Sequence, residues 1–285
     1  MKKYKSDWYL YYLINVTLII LVSFPIYWAF VSSIKPPNEL ITNTPTLFPI
    51  NPTFESYERI WNLEPTSSRG NVRSAFTNSA IVSIGTVVLS AIISTLAAYA
   101  LTILRTPFRY FIFLLIIMPI LIPGISLLIP LYKLVKELGL MNSYLGLILI
   151  HSTGMLTLGV FLMRNAFMSI PTSLREVALL EGSSELRIMF TVMLPLAIPG
   201  LLTLMVFALY GSWNDFILAF LFVNTIDMEM LNVFLMKLTF AGSQFDTFWG
   251  LLNAGAIISF VPIIVFYIFL QQYFVRGVTG SAVKE

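Results

Sequence analysis

Long apolar runs, separated by short charged stretches, dominate this chain. Six windows lack any charged residue: 8–34, 74–104, 110–132, 138–163, 188–214 and 247–275. A helix needs about 20 apolar residues to cross the hydrocarbon core of a bilayer, and every window reaches that length. Their apolar centres predict spans near 10–33, 78–102, 110–131, 143–163, 197–223 and 249–271. The runs are continuous, whereas barrel strands alternate every second residue. The first loop, about 35–74, holds Pro36, Pro37, Pro45, Pro49, Pro52 and Pro65. It reads as extended turns with one short helix around residues 54–61.

Composition supports the same class. The chain is 58% hydrophobic and 11% charged, against about 25% charged in ordinary soluble domains. Too little polar surface exists to cover a soluble globule. The basic start, Met1 to Asp7, resembles a signal peptide, but the apolar run behind it is longer than the roughly 7–15 residues of a cleaved signal. An uncleaved first span is expected, with Trp8, Tyr9, Tyr11 and Tyr12 at the interface. There is no cysteine and one histidine, which excludes thiol chemistry and a His-rich metal site. No internal repeat stands out, and residues 1–285 read as one transmembrane domain. The fold class expected is all-α and polytopic, with six transmembrane helices.

Six spans place both termini on one side. That side holds Lys2, Lys3, Lys5, Arg105, Arg109, Arg164, Arg175, Arg187, Arg276 and Lys284, while the short loops opposite carry Lys133, Lys136 and Lys237. Short loops dominate the positive-inside rule. Both termini and the loop of about 164–196 are therefore expected in the cytoplasm, with 35–74 outside.

The 164–196 loop is the most polar part of the chain. It packs five charges (Arg175, Glu176, Glu181, Glu185, Arg187) into thirteen residues. Ser173 and Glu176 have the spacing of a capping box, and Pro171 is a further helix-start signal. Leu174, Val177, Ala178 and Glu181 then share one face of a short helix. Ala178 is small, so another backbone could approach there. Gly182 ends the helix, and Ser183 or Ser184 can cap a second one through Arg187. An amphipathic hairpin lying on lipid headgroups would be richer in Lys and Arg. The acid content favours docking onto a soluble partner.

Glu176, Val177, Ala178, Gly182, Val192, Leu194 and Pro195 resemble the E-A-A-x-x-x-G, nine-residue, I-x-L-P signature of inner-membrane permease subunits of binding-protein-dependent ABC importers. Val177 and Val192 replace Ala and Ile, and Glu181 stands where Asp is usual. Phe76 to Ser79, Ala97 to Leu101, Ile129 to Tyr132, Leu138 to Asn142, Trp213 to Phe216 and the tail from Val275 to Lys284 are similar to the maltose-type sugar permeases, closest to the smaller second permease. The resemblance implies a subunit of an ATP-driven importer for a di- or oligosaccharide. Another carbohydrate-type solute, such as glycerol phosphate or an alginate oligosaccharide, is the alternative. It also implies that Leu174, Glu176, Val177, Ala178, Glu181 and Gly182 couple to an ATPase. The partners implied are a second homologous permease, two cytoplasmic ATPase subunits and an extracellular or periplasmic sugar-binding protein, with lipid around the spans and no nucleic acid. No cofactor is expected in this chain, because ATP and Mg would sit on the ATPase. Gly242, Ser243 and Gln244, between spans five and six, are expected to meet the binding protein.

None of the lysines follows a glycine, so the chain has no phosphate-binding G-x-x-x-x-G-K loop, and no catalytic residue set or metal site is expected. Ionisable groups at membrane depth are functional candidates by default. Trp213, Asn214 and Asp215 combine an aromatic face, an amide and a carboxylate. Two readings fit them: a substrate path or gate, or a structural site near the external interface. His151, with Ser152 and Thr153, reads as a helix–helix hydrogen-bonding site, and Asn78 with Ser79 as caps or packing. An ion-driven transporter would cluster polar residues at broken helices near the midplane. Gly124 could break span three, but it has no charged neighbours.

Overall fold

The computed structural model describes residues 3–40, 42, 44–66, 69–104, 106–240 and 245–282, with side chains described at all of these except 3–7, 240, 245–248, 270 and 272–282. Its helices are α1 Lys3–Ser33, α2 Pro37–Leu40, α3 Glu55–Trp61, α4 Val72–Thr102, α5 Arg109–Ile117, α6 Leu128–Glu137, α7 Tyr144–Met168, α8 Thr172–Leu180, α9 Glu185–Ile188, α10 Leu194–Leu196, α11 Ile198–Trp213, α12 Ile217–Phe222, α13 Leu231–Phe240 and α14 Phe245–Ala282. No strand forms among the described residues. The protein is a polytopic all-α membrane protein. Four helices (Trp8–Ser33, Val72–Thr102, Tyr144–Met168, Trp249–Phe269) are each long and apolar enough to cross a bilayer unaided. The short helix read at 54–61 is α3. The backbone of α14 stays helical to Ala282, past the 249–271 expected for the sixth span.

Two compact units are distinguished by their contacts: Met1–Arg73 with Phe234–Val261, and Ser74–Val233 with Pro262–Glu285. In the first, the long loop is pinned by its own polar groups. The Glu39 carboxylate accepts the amides of Ile50 at 2.9 Å and Asn51 at 2.8 Å. Those backbone hydrogen bonds, Ile50 foremost, hold its carboxyl below the ordinary value. Lys35, almost fully buried, lies 4.9 Å above the Trp28 ring. Tyr27 donates to the Leu47 carbonyl at 2.7 Å.

The second unit is organised by α4, α7 and α11. Tyr144 donates to Asn78 at 2.7 Å at the start of α4 and α7, and Tyr99 meets Phe167 edge-on at 5.5 Å near their ends. The two helices therefore run parallel. Parallel neighbours need an intervening crossing, so the segment between them has to traverse the same thickness. That segment is the third span, and it is broken: Arg109–Leu121 and Gly124–Glu137 meet at 96°. The break falls at Ile122 and Pro123. Proline has no amide hydrogen to donate and cannot continue the helix, and the Gly124 signal lay one residue away. Thr157 donates to the Ile116 carbonyl at 2.8 Å, and Arg164 stacks 4.3 Å over Phe113, so α5 runs antiparallel to α7.

Small residues let α7 approach its neighbours, as in membrane helix pairs generally. A Cβ at Gly159 would run into Ser94 and Leu204, and one at Gly200 into Ala166. Gly159→Leu is expected to lower stability by about 1–3 kcal/mol through overpacking, read as earlier thermal unfolding of the detergent-purified chain. Unchanged unfolding would show that the helices can part at no cost.

The fifth span was expected as one helix over 197–223. It is instead α11 and α12, interrupted at Asn214, Asp215 and Phe216. A second bend of 79° precedes it, between Glu185–Leu196 and Ile198–Trp213, where Pro195 and Pro199 each remove a donor and Met189–Met193 widens to a π turn.

Candidate functional site

At the end of the second unit where α4 and α7 finish, α8 and α9 form a helical pair. α8 starts after Pro171, whose φ of −59° and ψ of 130° make it the residue just outside the helix, and no side chain caps it. The capping box expected from Ser173 and Glu176 is therefore absent. Ser173 already lies inside the first turn, and proline has no amide for Glu176 to accept. Ser184 precedes α9 as expected, yet its side chain also makes no cap bond.

The turn between the helices depends on Gly182, whose φ is +81°. Its amide bonds to the Leu179 carbonyl at 3.0 Å, and the Ser183 amide to the Ala178 carbonyl at 3.0 Å. Together these close a Schellman cap. Nothing lies within 4 Å of a Cβ built there, so the requirement for glycine is conformational, not steric.

Two faces result. Ala178 and Ile188 are buried in a cluster with Tyr99, Phe167, Ile170, Met189 and Met193. Ala178 thus packs into its own chain, where the sequence pattern offered it to an incoming backbone. Outward point Leu174, Val177, Leu186 and above all Leu180, which is 88% exposed. Glu176 and Glu181 are exposed beside them. Leu180 and Leu186 escaped the sequence reading, because Leu180 falls outside the Leu174, Val177, Ala178 and Glu181 spacing and the left-handed turn at Gly182 separates it from Leu186. Arg175 and Glu185 tie α8 to α9 through a two-point ion pair, with Arg175 Nε 3.3 Å from Oε2. That pairing holds the Glu185 carboxyl below the ordinary value and raises the Arg175 guanidinium. Opposite charges ten residues apart across a glycine turn were the available signal.

Trp213, Asn214 and Asp215 are adjacent but do not converge on one open face. Trp213 is buried and meets Phe76 edge-on at 5.3 Å. The Asn214 amide returns to the Tyr210 carbonyl at 3.1 Å. Asp215 caps α12, accepting from the amides of Leu218 at 3.3 Å and Ala219 at 2.8 Å. His151 Nε2 approaches the same carboxylate to 3.8 Å, and Asn232 donates to the Trp213 and Asp215 carbonyls at 2.9 and 3.2 Å. The break is thus a braced joint between helices. Asp215→Ala is expected to cost about 1 kcal/mol, the usual loss for a helix cap, measurable by denaturant unfolding; an unchanged midpoint would remove the cap from the account. Asn78 donates to the Asp227 and Glu229 carbonyls at 2.8 and 2.9 Å, and Ser79 accepts from the Leu231 amide at 2.9 Å, which is the packing role expected of them. Gly242, Ser243 and Gln244 lie outside the described residues.

Residues 90–280, which include the α8–α9 pair, match the family model described as binding-protein-dependent transport system inner membrane component. This chain belongs to that family. The permease is 32% identical over 287 residues to the probable starch degradation products transport system permease protein AmyC of Thermoanaerobacterium thermosulfurigenes, covering all of both chains. It is 33% identical over 264 residues to the arabinooligosaccharides transport system permease protein AraQ of Halalkalibacterium halodurans, covering 92% of this chain and 91% of that one. Its fold superposes with a TM-score of 0.80 and 25% identity on a chain of a bacterial ABC transporter that imports the acidic polysaccharide alginate, covering 93% and 96% of the two chains. A permease of this family is a membrane component of transport, and the pair formed by α8 and α9 falls within its matched region.

Proposed function

We propose that this permease passes a di- or oligosaccharide into the cytoplasm as one half of a pore made with a second, homologous permease. ATP, with its Mg, is bound and hydrolysed on two separate subunits, one of which docks on α8 and α9. The observation that carries this reading is the exposed apolar and acidic face of Leu174, Glu176, Val177, Leu180, Glu181 and Leu186 on a pair braced from within. That surface suits a soluble protein groove better than water. The saccharide class comes from the relatives' names, starch products, arabinooligosaccharides and trehalose among them. The alginate importer likeness favours an acidic oligosaccharide as the second reading.

In the same reading an external sugar-binding protein delivers the solute and meets Gly242, Ser243 and Gln244. The braced break at Trp213, Asn214 and Asp215 serves as the gate. Arg109, Arg164, Arg175 and Arg187 lie in or beside the α8–α9 end, which by the positive-inside rule faces the cytoplasm. The natural chain has no cysteine, so single cysteines report orientation cleanly. With an impermeant maleimide on intact cells, Asn224→Cys should label and Ser184→Cys should label only after permeabilisation. The reverse pattern would end the proposal. The function itself is tested by purifying the full complex and asking which saccharide-loaded binding protein stimulates its ATPase.

A further inference from the structure

Glu185 does more than pair with Arg175. Its Oε2 also accepts the Tyr99 hydroxyl at 3.0 Å. One carboxylate therefore joins three helices: α8 through Arg175, α9 through its own backbone, and α4 through Tyr99. The Tyr99 ring is 4% exposed and lies edge-on to Phe167 of α7. A buried phenol needs an acceptor for its O–H, and here the acceptor comes from the polar loop. Arg175 bonds both carboxylate oxygens, which stops the carboxylate rotating away from Tyr99. Such charge-assisted bonds are strong and directional. The apolar contacts of Ala178 and Ile188 with the same cluster have no preferred direction and can slide.

We infer that the Tyr99–Glu185 hydrogen bond is a positioning link that turns movement of the α8–α9 pair into movement of α4. It rests on the proposed docking of an ATPase at that pair. Tyr99 is too buried to touch a docked subunit itself, so its effect passes through Glu185.

The test uses the complete complex in liposomes, with both permeases, the ATPases and the binding protein. Tyr99→Phe keeps the ring on Phe167 and deletes one oxygen. Its complex should purify with a full complement of ATPase and keep its basal hydrolysis. Binding-protein stimulation of hydrolysis, and uptake with it, should fall about tenfold, the size of one hydrogen bond to a charged group. Glu185→Leu should lose at least as much, and the double variant no more than Glu185→Leu alone, because both changes cut one link. Wild-type stimulation in Tyr99→Phe would overturn the inference. So would losses that multiply in the double variant, or a Tyr99→Phe complex that sheds its ATPase. Failure of the underlying reading looks different: the unaltered permease would itself retain no ATPase.

Discussion

Gly182→Val is expected to cut uptake by roughly 5- to 30-fold while the chain still inserts into the membrane. A residue bearing a Cβ costs about 1–2 kcal/mol in the left-handed region, and each 1.4 kcal/mol is tenfold in a population. At φ +81° with open space around it, position 182 penalises only backbone conformation. Once the Schellman bonds to Leu179 and Ala178 are lost, α9 re-aims relative to α8, and the Arg175–Glu185 pair loses its register. A graded series separates this cause from crowding. Asn, which tolerates left-handed backbone better than other side-chain-bearing residues, should retain more uptake than Ala, and Ala more than Val. A series ordered by side-chain volume, with Asn worse than Ala, would point to a clash with a partner instead.

Leu180→Glu is expected to weaken retention of the ATPase by about 10- to 100-fold. Burying a leucine side chain is worth about 1.5–3 kcal/mol, and Leu180 is the most exposed apolar side chain on α8. Folding should be unaffected, because an 88% exposed residue has little to lose inside its own chain. Glutamate there would stand beside Glu176 and Glu181, adding repulsion to any acidic rim. The measurement is the ATPase recovered on immobilised permease over a salt series. Full recovery with Leu180→Glu would move the docking surface elsewhere.

The spans could be read from the sequence because the bilayer sets a length that a charge-free window must meet. Their interruptions could not. Asn214, Asp215 and Phe216 sit between apolar runs, and the charge on Asp215 is met locally by the Leu218 and Ala219 amides, so hydropathy continues through a break in the backbone. At the third span Pro123 and Gly124 stood in view, yet a 96° bend needs three-dimensional packing to be sustained. The α8–α9 pair was legible in position and in its glycine, since φ > 0 leaves a residue-type signature. Its faces were less so: Ala178 turned inward, and the serine–glutamate spacing imitated a cap that Pro171 displaced. The role of Tyr99 was not legible, because its acceptor lies 86 residues away.

The parallel run of α4 beside α7 bears on how the molecule is made. Two neighbours pointing the same way cannot leave the insertion machinery as a hairpin. Asn78 must wait in the bilayer without the Tyr144 hydroxyl until 66 further residues have been synthesised, and without the Glu229 carbonyl until 151 have. At a synthesis rate of about 5–20 residues per second, the longer of these waits is roughly 8–30 seconds. During that interval the Asn78 amide lacks both carbonyls it donates to in the finished permease, so the polar cost of burying it is met only late in synthesis.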